Sequence, residues 1–260
     1  MSSEHFLDDK RNKKLDNQLQ ALISRVGVDR KTLDEVFDKT TLHTIEKLIS
    51  QGFIDIIDFP ISTGKEANVF RGVTPSNDFV AVKIYRTSTL AFKNISKYIV
   101  GDPRFKKIHK SRRGFVNEWA KKEFKNLELL EKAGVKAPRP IKQINNVLIM
   151  DYIGDKEKPA PILKEFEVKN PRVIFDILID FIDKMYNKVG FVHADLSEYN
   201  ILVFNEDPYI IDLGQGVILD HINSHEFLRR DILNIIRFFN KFDIKSDEKK
   251  IFKNVTGRSG

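Results

Sequence analysis

The chain of 260 residues contains no cysteine, which removes disulfide scaffolds, zinc ribbons, iron–sulfur clusters and thiol nucleophiles together. That lack fits a reducing compartment and is equally compatible with export. No apolar run approaches the roughly 20 residues needed to cross a bilayer; stretches such as Val147–Met150 and Tyr209–Ile211 are short. The opening MSSEHFLDDKRNKK is polar and lacks the apolar segment of a signal peptide. These absences predict a soluble, cytoplasmic protein without membrane contact. His43, His109, His221 and His225 form no metal-ligand spacing, and no H-E-x-x-H occurs. There is no internal repeat and no low-complexity tract.

What is present suits a folded chain. A hydrophobic fraction of 41% with 31% charged residues excludes global disorder, and a chain of this length buries a core without cross-links. The formal charge of +7, from 44 basic and 37 acidic residues, would be unremarkable if spread evenly. Its distribution therefore matters more than its sum.

Periodicity divides the chain into three. Residues 1–50 read as a helical extension, with helices near 15–26, from about 29, and over 41–51, the last capped by Thr40 or Thr41 and stopped by Gly52. Residues 51–154 read as strands at 54–57, 68–71, 79–85, 140–144 and 147–152, with a long helix over 115–132. A basic insertion, 87–114, interrupts this unit; it holds Lys93, Lys97, Arg104, Lys106, Lys107, Lys110, Arg112 and Arg113 against the single acid Asp102. Residues 155–260 carry helices over 171–189 and 224–240, short strands between them, and a tail from Val255 expected to fray.

Four short motifs in fixed order carry the chemistry. Ser62-Thr63-Gly64-Lys65-Glu66-Ala67 lies between two strands, where a small-residue turn offers backbone N–H groups, hydroxyls and an ammonium to a phosphate. Alone it reads equally as a solvated hairpin. It is not a Walker loop, because Glu66 stands where Ser or Thr is required and a strand follows. Lys83 sits inside the apolar strand Val80–Ile84, and a buried ammonium needs an anion; Glu123 on the following helix is the preferred partner, with Glu118 second. His193-Ala-Asp195-Leu-Ser-Glu-Tyr-Asn200 places a carboxylate near an attacking hydroxyl and an amide oxygen on a metal. In Ile210-Ile-Asp212-Leu-Gly214 an aspartate leaves an apolar strand and precedes glycine, as a metal ligand over phosphates does. Together they describe an ATP site of protein-kinase type.

These motifs resemble the RIO family of atypical protein kinases, and its type-one subfamily in particular. S-T-G-K-E-A-N replaces a glycine-rich loop, the catalytic loop is H-x-D-L-S-E-Y-N, and I-D-L-G-Q stands in place of D-F-G. The resemblance covers roughly residues 40–240. It implies an α+β fold: a minimal two-lobed protein-kinase-like structure with a β-sheet N-lobe, a truncated helical C-lobe and extra N-terminal helices. It further implies that Lys83, held by Glu123, grips the α- and β-phosphates of ATP, that Asp195 is the catalytic aspartate, and that Asn200 and Asp212 bind Mg²⁺ or Mn²⁺. Ser62, Thr63, Gly64, Lys65 and Glu66 would cover the phosphates. Asp151 and Ile153, after Met150, would bond adenine through their main chain, and Val69, Ala81, Met150, Leu202 and Ile211 would sandwich it. For these apolar residues plain core packing is the competing reading.

No A-P-E motif follows Asp212, and too little chain remains before residue 260 for the helices that hold a peptide in conventional kinases. Two mechanisms stay open: transfer to a serine hydroxyl with Asp195 as proton acceptor, or phosphorylation of Asp212 itself followed by hydrolysis. In the basic insertion, Phe105 and His109 interleave with the cations, which suits contact with RNA or with ATP phosphates; a solvated lid that needs charge for solubility is the competing reading. Ser111 among these cations is a candidate autophosphorylation site. The partner that the resemblance implies is a precursor small ribosomal subunit and its rRNA. Two other functions compete: a small-molecule, aminoglycoside-like phosphotransferase, and a non-catalytic scaffold binding nucleotide and RNA. Trp119 is expected to pack the Glu123 helix, and Arg229, Arg230 and Asp231 are expected to form an internal ion pair.

Overall fold

Strand alternation sorts the first half of the chain into two faces. A computed structural model describes residues 37–87, 98, 102, 104 and 111–257; the helices expected before residue 37 lie outside them. β1 (Ile56–Thr63), β2 (Ala67–Val73), β3 (Phe79–Tyr85), β4 (Pro140–Ile144) and β5 (Val147–Asp151) form a sheet in the order β1-β2-β3-β5-β4. All its pairings are antiparallel. In β3, Val80, Val82 and Ile84 share one core with Phe70, Val147, Ile149 and with Ile45 and Leu48 of helix α1 (Lys39–Ser50). Ala81 and Tyr85 belong to the other core, with Leu148 and Met150 of β5. A period of two therefore turns Lys83 toward that second face.

Two boundaries differ from expectation for local reasons. Asp38, not Thr40 or Thr41, caps α1, accepting from the Thr41 N–H at 2.9 Å; Thr41 is buried, and its hydroxyl accepts from Asn146 Nδ2. β1 runs well past residue 57 and through Pro60, which an edge strand tolerates, with register shifts on either side of it. Ser62 and Thr63 thus pair with Val69 and Asn68, leaving Gly64, Lys65 and Glu66 as the turn.

Helix α2 (Arg112–Ala133) begins three residues before Phe115 because Ser111 caps it, accepting from the Gly114 N–H at 3.1 Å. The described residues of the basic segment are anchored. Tyr98 packs 5.5 Å from the Phe227 ring, and buried Asp102 pairs with Arg104 at 2.7 Å. Asp38 accepts from Thr87 at 2.8 Å and from Arg113 at 2.9 Å, so one carboxylate ties the two ends of the segment. Burial opposes its charge, but the Thr41 N–H and the Arg113 guanidinium hold its carboxyl down at about 2. The lysines of the insertion lie outside the described residues.

The second half is helical with small sheets. α3 (Pro171–Val189) starts at proline and stops at Gly190, which is left-handed. β6 (Phe191–Val192) pairs with β9 (Val217–Ile218), and β7 (Ile201–Phe204) with β8 (Asp207–Ile210). α4 (Ser224–Phe239) follows, then α5 (Glu248–Thr256). The first two residues of the tail expected to fray, Val255 and Thr256, belong to α5, which Asp247 caps; Val255 is buried, and its carbonyl accepts from Asn187 Nδ2, while residues 258–260 lie outside the described residues. No helix among the described residues is long and apolar enough to cross a membrane.

Candidate active site

The two lobes meet at a charged cluster. Lys83 Nζ lies 2.8 Å from both carboxylate oxygens of Glu123 on α2 and 3.0 Å from Asp212 Oδ1. Glu123, not Glu118, is thus the partner; Glu118 faces Lys121 at 3.6 Å. Tyr85 also donates its hydroxyl to Glu123. Burial alone would depress Lys83, but Asp212 and Glu123 outweigh it and hold the ammonium above its ordinary value. Lys83 in turn keeps the Asp212 carboxyl below the usual carboxylate range. Glu66 sits in the exposed turn, yet desolvation and then Asp212 push its carboxyl up, with Asp195 adding to the shift.

Strained backbone presents the two aspartates. Asp212 (φ 60°) follows β8 and Ala194 (φ 66°) precedes Asp195, both left-handed without being glycine, at a cost on the order of 1 kcal/mol each. Asp231 of α4 offsets this at Ala194. Its carboxylate accepts from the N–H groups of Ala194 at 2.8 Å and Leu196 at 2.9 Å. Arg230 donates to the Ala194 carbonyl, and Asn234 to that of Leu196. Both peptides flanking Asp195 are therefore held from α4. This corrects the expected ion pair: Asp231 binds backbone, Arg229 pairs with Glu248 instead, and burial pushes the Asp231 carboxyl up to about 7.

His193 is fully buried; its Nε2–H donates to the Ile211 carbonyl at 3.0 Å, and Nδ1 accepts from the Asp195 N–H at 3.3 Å. Both contacts require the neutral ring, and burial pushes its pKa down to about 4. Asn200 spends its Nδ2 on the Asp195 carbonyl at 2.9 Å, leaving Oδ1 as an acceptor. The Ile211 N–H donates to the Asn200 carbonyl at 3.0 Å, which sets Asn200 beside the Asp212 strand. Gln215 Nε2 bonds Asp195 Oδ2 at 3.0 Å.

The metal motif is seated on α2. Trp119 packs against Gly214 so closely that a Cβ there would lie 2.8 Å from Nε1, which requires glycine. Lys122 donates to the carbonyls of Gly214 and Gly216, and Asn126 to that of Leu213 at 2.8 Å. Burial, then nearby Arg104, pushes the Lys122 ammonium down to about 7.

The remaining expected residues lie where β2, β3, β5 and β7 approach this cluster. Ala81 pairs with Met150, and Val69 with Lys83, on the cleft face of the sheet. Leu202 is half-buried between buried Ile201 and Val203, and Ile211 is half-buried between buried Ile210 and exposed Asp212. The Asp151 N–H already donates to the Arg139 carbonyl, and the Ile153 carbonyl accepts from the Ala160 N–H. Among the described residues the Asp151 carbonyl and the Ile153 N–H take no bond outside the strand pairings, so both can serve the main-chain role that the resemblance implies. Among the described residues no cluster of three His, Cys, Asp or Glu could hold a metal. Asn200 and Asp212 supply hard oxygens that suit Mg²⁺ completed by phosphates and water. Lys122, Asn126 and Asn234 belong to no motif, Gln215 only closes the I-D-L-G-Q motif, and Asp231 reads from sequence as an ion-pair member; only the fold shows the partners of all five.

A five-stranded antiparallel sheet over a helical lobe, with a Lys–Glu pair facing an Asp–Asn loop and a second Asp, defines a phosphotransferase of the protein-kinase class. Residues 68–251 match the RIO domain family. The chain belongs to the RIO family and is a RIO-type serine/threonine kinase, with relatives of the first type. It is 40% identical over 230 residues to the RIO-type serine/threonine-protein kinase Rio1 of Haloferax volcanii, covering 88% of this chain and 79% of that protein. The Rio1 kinase of Thermoplasma acidophilum is 50% identical over 184 residues, covering 70% and 96%. Human RIO1 is 38% identical over 236 residues, and the match spans 89% of this chain but 42% of that longer protein. Among solved structures, Rio2 kinase of Chaetomium thermophilum in complex with ADP, Mg²⁺ and phosphoaspartate superimposes with a TM-score of 0.64. At 23% identity, over 84% of this chain and 67% of that one, it shows a shared fold.

Proposed function

We propose that the kinase binds ATP with Mg²⁺ or Mn²⁺ in the cleft around Lys83 and passes the γ-phosphoryl to a serine hydroxyl. The observation that carries this is the Lys83–Glu123–Asp212 cluster, closed at 2.8 and 3.0 Å beside the Asp195–Asn200 loop. Lys83 would hold the α- and β-phosphates, and Asn200 Oδ1 and Asp212 would hold the metal, which neutralises charge on the phosphates. Asp195 accepts the hydroxyl proton as the serine oxygen bonds phosphorus, and the bond to the bridging oxygen breaks to release ADP.

The second reading has Asp212 attack the same phosphorus. ADP leaves, and water then cleaves the acyl phosphate, restoring the carboxylate and releasing phosphate. The phosphoaspartate in the Rio2 complex, a protein of the same fold, favours keeping it. In that reading the protein is an ATPase whose cycle serves assembly of a precursor small ribosomal subunit. Its rRNA would be met by the basic segment around Lys106, Lys107, Lys110, Arg112 and Arg113. Incubation with γ-labelled ATP, with and without such particles, separates the two. Acid-stable, hydroxylamine-resistant label on protein marks serine transfer, and hydroxylamine-labile label marks Asp212. Asp195→Asn should retain ATP binding and lose serine transfer, and transfer at the original rate in that variant would overturn its role.

A further inference from the structure

Lysines that take no part in the nucleotide cluster gather beside the catalytic loop. Lys164, in the turn after the hinge segment, donates its N–H to the Glu198 carbonyl at 3.1 Å. Its ammonium lies 5.8 Å from the centre of the Tyr199 ring. Tyr199 stands immediately before Asn200 in the loop and is 55% exposed. Lys241 belongs to the 3-10 turn Asn240–Phe242 that follows α4. Its ammonium sits 3.7 Å from the Phe238 ring centre and 4.9 Å from that of Phe242. The two lysines are near enough that, after desolvation, Lys164 is the main influence lowering Lys241, with Glu198 pulling the other way. Both are exposed, and among the described residues neither has a carboxylate within ion-pair distance.

We propose that Lys164, Tyr199 and Lys241 form the substrate-selecting surface of this kinase, and that it favours serine or threonine segments carrying acidic residues close to the acceptor. The proposal rests on the reading of Asp195 as the group that receives the acceptor proton. An acceptor hydroxyl in reach of Asp195 brings its flanking chain past the loop residues that follow, Glu198 and Tyr199, and the lysine bonded to them. An extended peptide advances about 3.3 Å per residue, so side chains roughly two to four positions from the acceptor reach the two ammoniums. Three separate elements converge here: the post-hinge turn, the catalytic loop and the end of α4. The aromatic rings under Lys241 restrict its stem, which lowers the entropy lost when an anion pairs with it. Tyr199 offers an exposed face to the peptide between the charges. Glu198 is the acid that acts on Lys241, and exposed Glu165 and Asp243 flank the two lysines in sequence without pairing, among the described residues, with either ammonium. A polynucleotide would be expected to use a longer cationic track than two lysines beside a glutamate.

The test uses the full chain and two peptides with one serine each, identical except that flanking Glu and Asp in one are Gln and Asn in the other. The acidic peptide should show a KM about tenfold lower with similar kcat, in line with two exposed charge pairs. The ratio should shrink as salt rises. In K164E/K241E the preference should vanish and turn toward a lysine-flanked peptide, while ATP hydrolysis without peptide stays unchanged. If turnover is too slow for a KM, anisotropy of the labelled peptides gives the same ratio. Equal KM or affinity for both peptides in the parent protein, or an unchanged ratio in the double variant, overturns the proposal. A double variant that loses binding to a single-stranded RNA while keeping the peptide ratio also overturns it, in favour of a polynucleotide surface. Transfer retained by Asp195→Asn would instead bring down the Asp195 reading, so the two failures are distinguishable.

Discussion

Lys122, the residue before Glu123, donates its ammonium to the Gly214 carbonyl at 2.8 Å. Adjacent residues of one helix therefore serve opposite ends of the site: Glu123 fixes the lysine of β3, and Lys122 fixes the loop that follows Asp212. Helix α2 sets the distance between Lys83 and the metal motif.

Replacing Lys122 by Met keeps length and apolar bulk but removes the donor. Two carbonyls lose a partner, at about 1 kcal/mol or more each, while the burial of an ammonium is relieved. Stability in urea should change by no more than about 2 kcal/mol. Phosphoryl transfer should fall roughly tenfold, a little over 1 kcal/mol in the barrier, and the Mg²⁺ requirement should rise because Asp212 is less well placed. ADP affinity without metal should stay constant. A metal titration identical to the parent protein's would show that Lys122 only fills space.

Much of the Glu123 side of this arrangement is readable from sequence, and little of the Lys122 side is. A lysine in an apolar strand demands a carboxylate, and the next long helix supplies one at Glu123. Lys122 stands in Lys121-Lys122-Glu123, a run that reads as a solvated face. It is buried because α2 packs on several sides, with Trp119, Asn126, Leu127 and Leu130 also inside. Asp231 misleads for a related reason: two arginines precede it, so local charge suggests an ion pair, and only the approach of α4 to Ala194 and Leu196 reveals the N–H groups it serves. Helix α5 has few apolar residues, and its Val255 becomes a core residue only against the body of the C-lobe.

Asp231→Asn should reduce kcat about a hundredfold, close to 3 kcal/mol in the barrier. Asn retains one acceptor oxygen, so the N–H of either Ala194 or Leu196 would face an amide NH₂. Leaving one buried donor unpaired costs roughly 1–3 kcal/mol, and the strained Ala194 peptide loses its clamp. Stopped assays of transfer and urea melts of the same preparation check both effects. A variant destabilised to that extent with an undiminished kcat would confine Asp231 to folding.

Lys83→Met strips Glu123 of its partner inside the protein, which should cost about 3–5 kcal/mol of stability. Lys83→Met with Glu123→Leu removes the stranded charge, and the double variant should recover most of that loss while remaining inactive. Denaturant melts of the parent, both single variants and the double variant form the cycle. A double variant no more stable than Lys83→Met would mean that the carboxylate is satisfied by Tyr85 and its surroundings alone.

His193 gives stability a pH dependence of known sign. The folded ring, at about 4, stays neutral where an unfolded histidine, near 6.5, takes a proton. Between those values the unfolded state binds more protons, so stability is lost as pH falls from about 6.5 to 4, by roughly 3 kcal/mol in all. Asp231, pushed up from its ordinary 3.8 to about 7, has the opposite slope over this whole range, because there the folded state binds the extra proton. The contribution of His193 is therefore isolated by the difference between the parent protein and His193→Gln. Glutamine can donate to the Ile211 carbonyl but does not titrate. Urea melts at pH 7 and pH 4.5 should show the parent protein losing more stability than the variant, about 2 kcal/mol more over that interval. Equal losses would mean that the ring protonates in place, with the Ile211 and Asp195 contacts surviving its charge.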